Sequence, residues 1–271
     1  MKNPRKIAVI GAGKMGEAII AGLLKSEAFS SKDIQIFEIV KDRREYMTKA
    51  YGVGAAESVQ AAVAFGDVII VAVKPGVVGH VLEEIKPVAG SEKVLVSIAA
   101  GVTIEYLKKH LPPNTPVVRV MPNLACSVRE AMMVVCPSEN TTDQQLGTVT
   151  EVLSAIGKVM RLDEKYLNLA TGLVGSGPAY IFLIIDALAD AGVRLGLPKE
   201  VSTVLAAQTT LGAAKMVVDS GEHPAKLKDM VATPAGTTVE GLFALEQGGL
   251  RATLISAVTE AAKKAGGLLP A

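Results

Sequence analysis

Hydroxyls and backbone amides crowd one short segment late in the chain, Thr233-Pro234-Ala235-Gly236-Thr237-Thr238. Placed just before a helical stretch, such a loop offers successive N–H groups and side-chain oxygens, which together can hold a carboxylate without a charged side chain. The same residues also suit a plain loop whose threonines cap the helix. At the other end, Gly11-Ala12-Gly13-Lys14-Met15-Gly16 follows the apolar run Lys6 to Ile10. Helical apolar spacing continues through Met15, Ala18, Ile19, Gly22 and Leu23. That strand, turn and helix context is what a dinucleotide fingerprint requires. Gly11 permits the tight turn, Gly13 lets the backbone approach a pyrophosphate, and Gly16 lets the helix pack on the strand. The phosphates then face the N–H groups of Gly13, Lys14 and Met15 at a helix N-terminus. The alternative is an ordinary βα turn.

Further candidates lie at expected strand ends. Glu38 stands about 20 residues beyond the glycine turn, where a carboxylate can bind the adenosine ribose hydroxyls of NAD. Lys41, Arg43 and Arg44 follow it. They can neutralise the 2′-phosphate of NADP, or form only a solvated first helical turn, so the choice between NAD(H) and NADP(H) stays open. Val73, Lys74 and Pro75 end another apolar run; Lys74 is either a cofactor contact or a solvated lysine before a turn proline. Asn123 either reaches the nicotinamide or serves its own turn. Ser176, in Gly175-Ser176-Gly177-Pro178-Ala179-Tyr180, either lets backbone approach the cofactor or starts a plain helix.

The elements that must position these residues divide the chain in two. From Lys6 to about Leu162, short β-branched runs alternate with helical patterns: Ile34 to Phe37, Val68 to Val73, Val94 to Ile98, Val117 to Val120, Met132 to Val135 and Val159 to Leu162. Such alternation predicts an α/β, Rossmann-type doubly wound sheet over residues 1–162, with its last two strands antiparallel at the edge. Beyond Asp163, helical spacing recurs across Ala179 to Gly192, Lys199 to Val218 and Arg251 to Lys264. This predicts an all-helical domain over 163–271, with Pro178 and Pro198 at helix starts. Substrate is expected between the halves, at the carboxyl ends of the strands.

The chain has 271 residues, 49% hydrophobic and 20% charged, which is ample for a buried core. With 28 Lys and Arg against 27 Asp and Glu, no strong field favours nucleic acid or an anionic membrane. The basic N-terminus precedes too short an apolar run for a secretion signal. Asp186 and Asp190 interrupt the stretch Ala179 to Val193, which is expected as a buried helix rather than a membrane span. Cys126, Cys136 and three scattered histidines match no metal pattern, so no metal is expected, and two thiols fit a reducing cytoplasm.

Taken together, these motifs resemble pyrroline-5-carboxylate reductase over nearly the whole length. The resemblance rests on Gly11 to Gly16, Ala72-Val73-Lys74-Pro75, Met121-Pro122-Asn123, Gly175 to Tyr180 and Asp186 to Val193. It continues through Gly196-Leu197-Pro198, Leu211 to Lys215, His223-Pro224 with Leu227 and Asp229, Leu245-Glu246 and Gly248-Gly249. It implies hydride transfer from NAD(P)H to the imine carbon of 1-pyrroline-5-carboxylate, giving proline. The substrate carboxylate is then held by amides around Gly236 and Thr237 with the Thr233 hydroxyl, and Thr238 hydrogen-bonds the ring nitrogen as the catalytic residue. A homodimer with interleaved helices is also implied; apart from the resemblance, Ala- and Leu-rich helices over 163–271 with few polar faces would leave apolar surface uncovered in a monomer, which predicts a homodimer. The family usually reads Ser-Pro-Gly-Gly-Thr-Thr at 233–238 and Met-Pro-Asn-Thr-Pro at 121–125. Ala235, Leu124 and Ala125 therefore depart from it, and leave open a reductase of another cyclic imine or a dinucleotide-binding sensor.

Overall fold

Four consecutive buried side chains, Ile7–Ile10, form the first strand, β1, as a strand covered on both faces requires. The computed structural model describes residues 5–267. The other strands are β2 (Ile34–Phe37), β3 (Gly54–Ala55), β4 (Val68–Val71), β5 (Val94–Ser97), β6 (Val117–Met121), β7 (Ala131–Pro137) and β8 (Gly157–Arg161). They make one sheet in the order β3-β2-β1-β4-β5-β6-β7-β8. All pairs from β3 to β6 are parallel; β7 then runs antiparallel to β6, and β8 parallel to β7. The last two strands thus run against the rest, as expected. Only β3 has no counterpart in the sequence reading, because two residues carry no periodic signal.

The connecting helices are α1 (Lys14–Lys25), α2 (Lys41–Tyr51), α3 (Val59–Phe65), α4 (Val78–Ile85), α5 (Ile104–Lys109), α6 (Asp143–Ser154) and α7 (Leu167–Ala170). Alternate strand residues point to opposite faces. Ile7 and Val9 join Ile19, Leu23, Met47 and Val152 in one core. Ala8 and Ile10 join Val59, Val63, Leu82 and Leu107 in the other. Gly22 brings α1 onto the backbone at Cys126, where a Cβ would have no room.

The sheet unit is also pinned by charge. Asp33, almost fully buried, accepts from Lys6 Nζ at 2.8 Å and closes a capping box with Ser30. The hydrogen bonds from Lys6 and then Ser30 outweigh burial and bring its pKa down to about 2. A depressed folded pKa gives stability that is complete above the unfolded value and lost as pH falls through the folded one. Asp33→Asn is therefore expected to cost about 2 kcal/mol at pH 7. It should also flatten the loss of stability between about pH 4 and pH 2. Denaturant melts of both proteins across that range test this; parallel pH profiles would refute it.

The second half carries α8 (Gly177–Arg194), α9 (Lys199–Ser220), α10 (Pro224–Val231), α11 (Thr237–Gln247) and α12 (Leu250–Gly266). Within it α8 and α9 form a hairpin: Gly196, with φ of +102°, turns the chain, and Ser202 donates to the Ala189 carbonyl at 2.6 Å. Pro178 falls inside the first turn of α8, whereas Pro198 is the residue before α9 rather than its first.

By compactness the first unit runs to Ser176 and resumes at Thr259, and the second covers Gly177–Val258. Residues 164–176, assigned to the helical half from sequence, pack with the sheet. The buried Arg119 donates to Glu164 at 2.9 Å and to Asn168 at 2.6 Å, and Leu167 packs with Val134 and Cys136. The expectation that Ala179 to Val193 is a buried helix is corrected. Only Ala189 of α8 is buried, and Phe182 and Leu183 are 61% and 70% exposed. Helical spacing reads an apolar face but not whether the same chain covers it. By length and composition alone, the stretches Glu164–Arg194 and Lys199–Ser220 are apolar enough to cross a membrane, a test that helices of soluble proteins also pass.

Candidate active site

The strand order changes direction at β1, between β2 and β4, so a crevice opens at the carboxyl ends of these strands. A cavity of about 470 Å³ lies there, lined by Gly11, Gly13, Glu38, Val73 and Lys74 among others. Gly11, with φ of +94°, donates its N–H to the Phe37 carbonyl at 2.8 Å, tying the turn to β2. Gly16 abuts the Gly11 carbonyl, where no Cβ fits. Gly13 differs: it is exposed, precedes α1, and a Cβ there would meet nothing within 4 Å. That open cradle at a helix N-terminus fits a pyrophosphate. Lys14 and Met15 open α1, Lys14 exposed and Met15 packed against the core.

Glu38 directly follows β2. Its carboxylate accepts from the Ala12 N–H at 2.8 Å and the Val40 N–H at 3.0 Å. Of the basic trio, Arg43 is not solvated: its Nε donates to the Ala12 carbonyl at 2.6 Å, and Nη2 pairs with Glu17. Arg44 donates to the Glu38 carbonyl at 3.0 Å, and only Lys41 is strongly exposed. The sequence reading missed Ile39 and Val40, which are 78% and 55% exposed and give the cavity an apolar wall beside Glu38. Their signal is an apolar pair between a strand end and a charged helix, belonging to neither period. Arg43 with Glu17 was missed as a pair because nothing in their spacing marks it.

Strand β4 stops at Val71, so Val73 and Lys74 lie in the loop, and Lys74 precedes the turn Pro75–Val77. Asn123 does not line the cavity; its side chain accepts from the Ala125 N–H at 3.2 Å, which is the turn role. Ser176 ends the π-helical segment Thr171–Gly175, its N–H on the Thr171 carbonyl at 3.0 Å. Both thiols are buried and unpaired; burial pushes Cys126 up to about 11 and also raises Cys136. Neither is built as a nucleophile. Among the described residues no group of three or more His, Cys, Asp or Glu is placed to hold a metal.

In the helical unit, the Gly236 N–H donates to the Thr233 carbonyl at 2.9 Å, closing a tight turn. Gly236 then precedes α11, and a Cβ on it would strike the Thr233 hydroxyl. Thr237 and Thr238 are the first two residues of α11, whose N–H groups a helix leaves without internal acceptors. The structure thus gathers Thr233, Gly236, Thr237 and Thr238 into one loop, and Gly11, Gly13, Glu38, Val73 and Lys74 around one cavity.

Comparison with known proteins bears on both. A family model described as pyrroline-5-carboxylate reductase dimerisation matches residues 164–268, and one described as NADP oxidoreductase, coenzyme F420-dependent, matches 6–101. The pyrroline-5-carboxylate reductase of Methanosarcina acetivorans is 40% identical over 97% of each chain. That of Arabidopsis thaliana is 42% identical over 96% of this chain and 94% of its own. The chain belongs to the pyrroline-5-carboxylate reductase family. The family fold extends to the crystal structure of Plasmodium falciparum pyrroline carboxylate reductase with NADP bound, which matches with a TM-score of 0.89 at 32% identity over 99% of each chain.

Against the reductase family pattern, Ala235 is the informative departure. Its φ is +57°, a left-handed conformation that glycine adopts freely and alanine does not. The loop keeps the turn and carries the strain. Ala235→Gly is expected to raise stability by about 1 kcal/mol, strain relief exceeding the added chain entropy, without lowering turnover. A thermal melt reads this directly; a lower midpoint would show that the alanine is unstrained.

Proposed function

We propose that this reductase-family chain converts 1-pyrroline-5-carboxylate to L-proline. The observation that carries the reading is the match to pyrroline-5-carboxylate reductases over nearly the whole chain, and the turn at 233–236 supports it by setting a hydroxyl beside the first amides of α11 and the Thr238 side chain. The amides of Thr237 and its neighbours, with the Thr233 hydroxyl, bind the substrate carboxylate. Thr238 hydrogen-bonds the ring nitrogen, orienting the C=N bond. A protonated imine is already electrophilic and keeps its proton as it becomes an amine, so orientation suffices without a strong acid. When bound, a reduced nicotinamide dinucleotide supplies the hydride. Gly13, Lys14 and Met15 hold its pyrophosphate at the helix start, Gly11 and Gly16 shape the turn that presents them, Glu38 meets the ribose, and Val73, Lys74 and Pro75 line the remaining wall. Asn123 and Ser176 belong to the proposed cofactor set on the family pattern alone.

The sheet unit is the dinucleotide-binding domain in this reading, and the helical unit binds substrate and dimerises. The exposed side chains of α8 and α9, including Phe182, Leu183, Val204 and Leu211, support a homodimer in which a second copy covers them. Two buried, unpaired thiols accord with a cytoplasmic location. The test is steady-state oxidation of NADH and NADPH by purified protein supplied with 1-pyrroline-5-carboxylate, with proline identified as product. Faster turnover of a six-membered cyclic imine carboxylate would reassign the substrate. Dinucleotide binding without turnover of either imine would make the chain a sensor.

A further inference from the structure

The segment joining β2 to α2 sorts dinucleotides by a mismatch of donors and acceptors. A carboxylate offers about four acceptor positions. Glu38 has two N–H partners, Ala12 at 2.8 Å and Val40 at 3.0 Å, one on each oxygen, and its remaining acceptor capacity lies at the wall of the cavity. A ribose with free 2′- and 3′-hydroxyls brings two O–H donors to that wall. A 2′-phosphate brings acceptors and a second negative charge instead.

The two arginines that would offset that charge are close in sequence but committed elsewhere, and Lys41 is strongly exposed. Arg43 donates Nε to the Ala12 carbonyl at 2.6 Å, pairs with Glu17 through Nη2, and lies over the Tyr46 ring with 5.0 Å to its centroid. Glu17 is itself fixed by the hydroxyls of Tyr51 at 2.8 Å and Tyr46 at 3.1 Å. Burial works against its charge, yet the hydrogen bonds from Arg43, Tyr51 and Tyr46 together hold its carboxyl below the ordinary value. Arg44 is spent on the Glu38 carbonyl, and Lys41 reaches only Glu45, at 3.8 Å.

We propose that this chain selects the dinucleotide with a free 2′-hydroxyl, NADH, over the 2′-phosphorylated NADPH. Glu38 is the ribose acceptor, and Glu17 is the positioning residue that withholds Arg43 from a 2′-phosphate. The inference rests on the proposed dinucleotide site, not on the identity of the imine. The Plasmodium relative solved with NADP shows that the fold accepts the phosphate, so the choice lies in this segment of the chain.

The test titrates the intact protein with NADH and with NADPH, without imine, following the fluorescence of the reduced nicotinamide. NADH is expected to bind at least about tenfold more tightly, the effect of a like charge placed at an interface. Glu38→Gln replaces the carboxylate by a neutral amide of the same shape and should narrow the ratio, mainly by tightening NADPH. Glu17→Gln should also tighten NADPH while leaving NADH nearly unchanged, a split that simple loss of structure does not give because it weakens both. NADPH binding as tightly as NADH, or a ratio unmoved in both variants, overturns the proposal. Binding of neither dinucleotide overturns it together with the reductase reading. NADH selectivity without turnover of 1-pyrroline-5-carboxylate supports it and removes only the substrate assignment.

Discussion

Gly16→Ala is expected to lose both fold stability and dinucleotide binding, while Gly13→Ala loses mainly binding. At Gly16 the added methyl runs into the Gly11 carbonyl. Gly11 cannot retreat, since its N–H is held by Phe37 and its own Cα stands close to the Ala72 carbonyl, 2.8 Å from where a Cβ would be. Helix α1 must therefore move off β1, at a cost of about 1–3 kcal/mol, and the phosphate cradle moves with it. At Gly13 the methyl meets no protein atom, and φ is an ordinary −66°. Losing glycine before a helix costs no more than about 1 kcal/mol, but the methyl stands where the pyrophosphate must come. Affinity for the reduced dinucleotide should fall by about tenfold or more, as one desolvated contact of about 1.4 kcal/mol would give. Thermal melts and fluorescence titrations on the two variants separate these effects. A Gly13→Ala protein that binds like the parent would place the phosphates elsewhere.

The second large effect is expected in the other unit. Thr238→Val removes a hydroxyl and keeps the shape of the side chain. If that hydroxyl orients the ring nitrogen, kcat should drop by about 10² to 10³, the usual consequence of removing one preorganised hydrogen bond at the reacting group. Dinucleotide affinity and the melting midpoint should stay near the parent's, because Thr238 is half-exposed and lies in the helical unit. Thr238→Ser should recover most of the rate. A valine variant within about threefold of the parent, well under one such hydrogen bond, would move the role to another donor.

The doubly wound sheet, its reversed last two strands and the glycine turn were legible in the sequence because apolar runs of four or more residues, each closed by a turn, mark the strands; the order in which the strands pair was not. Glu38 was placed correctly after β2 by the apolar run Ile34 to Phe37 and its distance from the turn. What Arg43 does was not legible, since a residue on α2 meets Glu17 on α1 only once both helices pack on the same face of the sheet. Burial of α8 was misread for a related reason: helical spacing reports an apolar face without saying which chain covers it. Ala235 departs from the family pattern, and its positive φ is the physical content of that departure. The substrate loop came from resemblance; hydroxyls before a helix do not by themselves separate a ligand site from a cap.

The sheet has two margins, and each is closed to further strands in its own way. On one side β3 is only Gly54–Ala55, too brief to template a neighbour. On the other, β8 carries Lys158 and Arg161 exposed on its length. Short or basic edge strands resist the edge-to-edge pairing that drives aggregation. Growth of an assembly by adding strands is therefore blocked at both ends, and self-association is left to the helices, where it can be specific and finite.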